Sequence, residues 1–269
     1  MQIIRIPSLD LPELAPYRTL RQAEEHRRAS LFVAEGDKVV ARLLQSEFGV
    51  VSVLLPEKRL AEFEVLIRAR REDVPVYVIE IRELEKLVGF AFFQGVLAVG
   101  KIPQTPALET ILQSAPRPRL FVAIDGLTNS ENVGVILRNA TAFGAQAMIV
   151  DRTSASPFLR RSVRNSLGAI FGLPIVECER VTSALAQLRS AGVRLMAAHP
   201  ASNNRQIHDA DFRGDCCLIL GSEGTGISRE VLAACDETVT IPMSQEVDSL
   251  NVGSAASIFL YEVARQRRS

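Results

Sequence analysis

The chain has little of what metal, redox and membrane proteins are built from. Its 269 residues include four cysteines, Cys178, Cys216, Cys217 and Cys235, and three histidines, His26, His199 and His208. No two cysteines form a C-x-x-C pair, so no zinc site is expected and the cysteines read as reduced thiols. No apolar run is long enough to span a bilayer, and the opening MQIIRIPSLDLPELAPY has no basic segment leading into an apolar core. A cytoplasmic protein without metal or membrane is the expectation. Net charge is missing as well, since 31 lysines and arginines balance 31 aspartates and glutamates. That balance leaves nucleic acid open, because a local patch is enough to bind it.

Two familiar phosphate loops are also missing. LILGSEGTGIS, residues 218–228, is an apolar run breaking into glycines, the usual layout of a nucleotide loop. Its spacing is G-x-x-G-x-G, however, with no Lys-Ser/Thr for a P-loop and with Glu223 where a phosphate tolerates no carboxylate. An oxidoreductase using a nicotinamide would need the dinucleotide fingerprint and an acidic ribose partner, and neither is present.

With 47% hydrophobic residues the chain has material for proper cores. Its first hundred residues alternate strand and helix signals: FVAE into GDKVVARLLQS, VVSVLL, EFEVLIRARRED, VPVYVIE, IRELEKLV and QGVLAVGKI. Four prolines then punctuate KIPQTPALETILQSAPRPRL, which reads as a linker with one or two helical turns. Alternation resumes from LFVAID to a long final helix starting near Ser249, which predicts a largely parallel sheet covered on both faces. The boundaries drawn are a small α/β domain over 1–102, a linker over 103–117 and a larger α/β domain over 118–269.

Three segments of the second domain concentrate the candidate chemistry. In ENVGVILRNATAFGA, residues 131–145, Val133, Ile136, Leu137, Ala140 and Phe143 share one helical face, and Arg138 lies almost opposite. It is the only charge between Glu131 and Asp151. It is either a lone surface arginine or the anion-reading group of a face that meets a ligand, RNA or a partner. Asn132 precedes the helix and would serve as its N-cap, with Asn129 and Ser130 in the turn. SLNVGSAASIFLY, residues 249–261, carries no charge and strings small residues together, so it is expected to be buried nearly all round. Ser249 and Asn251 either cap it or face a ligand.

In order, NVGVILRNATAFGA, LILGSEGTGIS and IPMSQEVDSLNV resemble the three motifs of the SpoU/TrmH class of SPOUT RNA ribose 2′-O-methyltransferases. FVAEGDKVV and FQGVLAV, more weakly, resemble the L30e-like substrate-binding domain that often precedes that catalytic domain. The resemblance implies a C-terminal α/β domain with a deep trefoil knot, a homodimer, S-adenosylmethionine as methyl donor and structured rRNA or tRNA as substrate. Matched position by position, it implies catalytic roles for Asn132, Arg138, Glu223, Ser249 and Asn251. It implies cofactor contacts around Leu220, Gly221, Ser222, Gly226, Ile241, Met243, Leu250 and Asn251, with the glycines letting the adenosyl group lie against backbone. Three positions depart from its pattern: Gln245 for glycine, Gly253 for serine and Asn139 for threonine. A catalytically silent RNA-binding member of the same fold is therefore the main rival.

Methyl transfer to a ribose oxygen requires alignment and loss of a proton. A guanidinium is a poor base, so Arg138 is expected to hold a phosphate and stabilise charge on the 2′-oxygen, while Asn132, Ser249 and Asn251 orient the ribose. Glu223 would order the loop or accept hydrogen bonds from these groups. Arg152, Arg160, Arg161 and Arg164, against Asp151 alone, form the most basic stretch and the expected RNA contact. The tail arginines Arg265, Arg267 and Arg268 either assist them or solubilise the end.

Overall fold

The computed structural model describes residues 1–268 except 20–22, 89–94, 201–204 and 245–248. Gln94 and Gln245 thus lie outside the described residues. The chain order is β1 (Gln2–Arg5), α1 (Ala15–Arg18), α2 (Ala23–Arg28), β2 (Leu31–Glu35), α3 (Asp37–Gln45), β3 (Val50–Leu55), α4 (Glu57–Arg68), β4 (Pro75–Val78), α5 (Ile81–Val88) and β5 (Leu97–Lys101). It continues with α6 (Leu108–Ser114), β6 (Leu120–Asp125), α7 (Ser130–Ala142), β7 (Ala147–Asp151), α8 (Arg160–Asn165), β8 (Ile175–Cys178), α9 (Val181–Ser190) and β9 (Arg194–Ala198). Last come β10 (Arg205–Gln206), β11 (Cys216–Gly221), α10 (Arg229–Ala234), β12 (Glu237–Thr240) and α11 (Val252–Arg268).

These elements form two compact units, Met1–Gln104 with Phe158–Phe171, and Thr105–Pro157 with Gly172–Ser269. The first holds a five-stranded sheet in the order β1-β4-β3-β5-β2, in which β5 runs antiparallel to both neighbours. Gly100 is required there: a Cβ on it would stand 2.3 Å from Phe32 Cζ. The ring that fills this space packs on Phe158 and Phe171, which come from the segment around α8. That segment also supplies Arg160 and Arg164, both paired with Glu35 at 3.1 Å. Contiguity in sequence assigns 158–171 to the second domain; the aromatic contacts and the buried carboxylate place it in the first unit.

The second unit holds a seven-stranded sheet in the order β10-β12-β9-β11-β6-β7-β8, every described pairing parallel. β6, β7 and β11 are buried on both faces, as a helix-covered parallel sheet requires. The stretch expected to be a linker contributes α6, whose Leu108, Ile111 and Leu112 join the same core as β6, β9 and α9. Burial raises all four thiols, Cys178 and Cys216 to about 11 and Cys235 to about 12, with Cys217 well above its ordinary value. None is therefore a thiolate nucleophile near neutrality.

The last helix is anchored by an arginine that local pattern does not distinguish from its neighbours. Arg267 donates to the carbonyls of Phe212, Pro118, Arg119 and Gly214 at 2.7–3.1 Å, so it fastens α11 to the starts of β6 and β11. Neither of the two roles expected of the tail arginines, assisting RNA contact or solubilising the end, accounts for these bonds. Arg267→Ala should lower the unfolding free energy by about 2 kcal/mol, because charge-assisted bonds to four carbonyls are lost. Urea denaturation checks this; an unchanged midpoint would contradict it.

Candidate active site

In the second unit the loops after β6, β7, β11 and β12 all leave from the carboxyl ends of parallel strands, where α/β sheets place their ligands. Gly221 stands in register with Asp125 across the β11–β6 pair. Asp125 Oδ2 accepts the Ser228 N–H at 2.7 Å, and Ser228 caps α10, accepting from the Val231 N–H. The loop between them closes on itself. Ser222 and Gly226 exchange two main-chain hydrogen bonds, and Ser222 Oγ accepts from the N–H groups of Gly224 and Thr225.

The glycines of this loop serve different ends. A Cβ on Gly221 would lie 2.3 Å from Gly226 C and Ile227 N, so the chain itself crosses there and fills the place of a side chain. Gly224 and Gly226, the latter at φ +68°, have open space where a side chain would be. The missing side chain of Gly221 thus makes room for the returning strand of the loop.

On α7 the cap is Asn129, whose Oδ1 accepts from the N–H groups of Glu131 and Asn132 at 2.9 and 3.4 Å. Asn132 is thus not the cap, and its side chain is released for another task. It is 8% exposed and donates Nδ2 to Glu223 Oε1. Asn251 Nδ2 in turn donates to Asn132 Oδ1 at 3.1 Å, and Asn251 Oδ1 accepts the N–H groups of Gly253 and Ser254 at the start of α11. The train has one sense. A carboxylate only accepts, so Asn132 must turn its Nδ2 to Glu223 and its Oδ1 to Asn251, which leaves Asn251 Oδ1 for the helix. Three distant segments, after β6, β11 and β12, converge in these bonds, and Asn251 both caps a helix and reaches toward the loop.

Arg138 is exposed on α7 and makes no hydrogen bond or ion pair among the described residues. Val133, Ile136, Leu137 and Ala140 are fully buried on the opposite side, as their spacing predicts. Ser249 is exposed and likewise makes no hydrogen bond among the described residues. Leu220 is buried within β11. Ile241 and Met243 are half-buried and Leu250 is exposed. Among the described residues the main-chain N–H and C=O groups of Met243 and Leu250 have no partner. The last helix is less enclosed than its composition suggests: Ile258 is 38% and Tyr261 59% exposed, and Tyr261 meets Phe143 edge-on.

The basic stretch is divided between the two units. Arg152 belongs to the second unit and pairs with Glu179 on an exposed surface. Arg160, Arg161 and Arg164 belong to the first unit, where Arg160 is 18% exposed and faces Glu35, itself 3% exposed. Arg161 and Arg164 reach the surface, Arg164 while holding the other Glu35 oxygen. Among the described residues no three histidine, cysteine, aspartate or glutamate side chains group as metal ligands, and no helix is long and apolar enough to cross a membrane.

Residues 119–261, which carry the whole hydrogen-bonded train, match the SpoU rRNA methylase family. The chain belongs to that family. Within and beyond the SpoU region it is 31% identical over 264 residues to an uncharacterized tRNA/rRNA methyltransferase of Mycobacterium tuberculosis, covering 95% of this chain and 90% of the relative. Its fold is similar to that of the SpoU methyltransferase AviRb from Streptomyces viridochromogenes in complex with AdoMet, at a TM-score of 0.82 and 27% identity over 96% of this chain and 99% of that one. It is equally similar to an RNA 2′-O ribose methyltransferase, at a TM-score of 0.81 and 27% identity over 99% and 100% of the two chains. The SpoU fold of a parallel sheet flanked by helices is therefore the one observed.

Proposed function

We propose that this chain is an S-adenosylmethionine-dependent RNA ribose 2′-O-methyltransferase acting on structured rRNA or tRNA. The observation that carries the reading is the Asn251–Asn132–Glu223 train, which brings three sequence motifs together at the carboxyl edge of the sheet with Arg138 exposed on the same helix as Asn132.

The residues fit the cofactor. The main-chain groups of Met243 and Leu250, without a partner among the described residues, suit the donor and acceptor edge of an adenine, and Ile241, Met243 and Leu250 offer apolar surface for its ring. Open space at Gly224 and Gly226 leaves the loop backbone accessible beside Ser222. Glu223 complements a ligand that carries a sulfonium and no phosphate. S-adenosylmethionine, when bound, supplies an electrophilic methyl group.

The chain's own residues supply placement and charge. Arg138 holds the neighbouring phosphate and stabilises negative charge as the 2′-oxygen loses its proton. Asn132, Ser249 and Asn251 orient the ribose, and Glu223 fixes the Asn132 amide. The C-terminal helix would complete a deep trefoil knot, and its exposed Ile258 and Tyr261 give an apolar face for a second copy in a homodimer. The first unit acts as the L30e-like RNA-binding domain of a cytoplasmic enzyme. The rival reading, a silent RNA-binding protein, loses one of its grounds because Val135 occupies the space a serine side chain at position 253 would need. Calorimetry tests the cofactor assignment: S-adenosylmethionine should bind and NAD should not. Binding of neither would support the silent reading.

RNA contact is assigned to Arg152, Arg161 and the exposed part of Arg164, with Arg160 holding Glu35. Arg161→Ala should weaken RNA binding and lower the slope of log K against log salt by about 1. Arg160→Ala should leave that slope unchanged and lower the melting temperature, since Glu35 would lose a partner while buried. Filter binding across a salt series, with thermal denaturation, separates the two. The reverse pattern would contradict the assignment.

A further inference from the structure

The hydrogen bonds that hold Glu223 continue past Asn251. Asn139 donates Nδ2 to the Gly253 carbonyl at 3.1 Å and to Ser257 Oγ at 2.7 Å, and Ser257 Oγ donates to the same carbonyl at 3.0 Å. The Gly253 N–H is the group that Asn251 Oδ1 accepts at 2.9 Å. One residue of α11 thus takes a bond from Asn139 on its carbonyl side and gives one to Asn251 on its amide side. Asn132 and Asn139 are seven residues apart, two turns of α7, and so share a face. α7 therefore brackets the start of α11 at two points.

Between these points the helices touch at Gly253. A Cβ there would stand 2.8 Å from Val135 Cγ1 and 3.1 Å from Asn251 Oδ1. Val135 lies on α7 between the two asparagines and takes up the space that a serine side chain would need. Two of the three departures from the expected motif, asparagine at 139 and glycine at 253, therefore meet in one contact.

We infer that Asn139 is a positioning residue for the Asn251–Asn132–Glu223 train. Its amide sets where the first turn of α11 lies along α7, and the Gly253 residue passes that placement to Asn251. Helical hydrogen bonding keeps α11 folded without Asn139, so what is lost with it is alignment. The effect on turnover rests on the methyltransfer reading above; the effect on the asparagine amides does not.

Asn139→Leu keeps the size of the side chain and removes both donors. Side-chain amide NMR should show the Asn251 and Asn132 NH2 resonances displaced. Tritiated-methyl transfer to bulk RNA should show kcat reduced on the order of 10-fold, with KM for RNA and Kd for S-adenosylmethionine within about twofold. Ser257→Ala, a milder change, should move the same resonances less. Gly253→Ser should also slow turnover, and adding Val135→Ala should recover most of it. Unmoved Asn251 and Asn132 resonances in both Asn139→Leu and Ser257→Ala would overturn the inference, whatever the activity. Displaced resonances in a protein whose parent transfers no methyl group would support the inference and instead remove the functional reading on which its kinetic part rests.

Discussion

Arg138→Lys is expected to transfer methyl groups about 100-fold more slowly than the parent, with S-adenosylmethionine binding within about threefold. Both side chains are cations, so charge alone would predict a small effect. The difference is geometric: a guanidinium offers donors in a fixed planar fork that can grip a phosphate and a neighbouring oxygen together, whereas an ammonium is a single point charge. Arg138 is exposed and, among the described residues, commits none of its donors to the protein. Its replacement should therefore cost no stability, which thermal denaturation checks alongside kinetics. Turnover near that of the parent would show that Arg138 does not align or stabilise the reacting oxygen.

Gly221→Ala should be the most damaging single methyl group that can be added to this site. Its Cβ would lie 2.3 Å from Gly226 C and Ile227 N and 2.5 Å from Gly226 O. Those are backbone atoms in a loop closed by paired Ser222–Gly226 hydrogen bonds, so no side-chain rotation relieves the overlap. Either the loop opens or β11 shifts against β6, whose register places Gly221 beside Asp125. The expected loss is about 3 kcal/mol of unfolding free energy and more than about 10-fold in S-adenosylmethionine affinity, since an opened loop displaces Glu223. By contrast Gly224→Ala, with open space around it, should fold like the parent. Denaturation and calorimetry on both variants check this. Equal behaviour of the two would refute the role given to the chain crossing.

The strands and helices of the second unit were legible because apolar periodicity reports directly on burial. β6, β7 and β11 read as unbroken apolar runs and are buried on both faces, and the apolar side of α7 is the one its spacing selects. The expectation failed where a fold is decided by partners distant in sequence. Asn129 and Asn132 are both competent caps, and only the approach of Glu223 and Asn251 shows that the second is engaged elsewhere. The segment 158–171 reads as part of the larger domain by contiguity, but Glu35 and Phe32, far upstream, draw it into the first unit. Arg160 looked like its surface neighbours for the same reason: burial of an arginine depends on a carboxylate that local pattern cannot locate. The proline-rich stretch before β6 suggested a linker, yet Leu108, Ile111 and Leu112 give α6 an apolar side that the core accepts.

Gly253 and Asn139 show a different limit. Each, taken singly, is a departure from the motif at one position. The structure makes them parts of one contact, in which Val135 fills the place of a side chain and the Asn139 amide spans to the carbonyl beyond it. A motif written position by position does not record such exchanges between facing helices.

The most direct test of the central claim uses the stability of the product. RNA labelled by this protein from tritiated S-adenosylmethionine should be digested with alkali, which cleaves each linkage through attack of its 2′-oxygen on the adjacent phosphate. A methyl group on that oxygen blocks the attack, so the account predicts that the label is recovered in alkali-resistant dinucleotides. Label released as mononucleotides, methylated on the base, would contradict it.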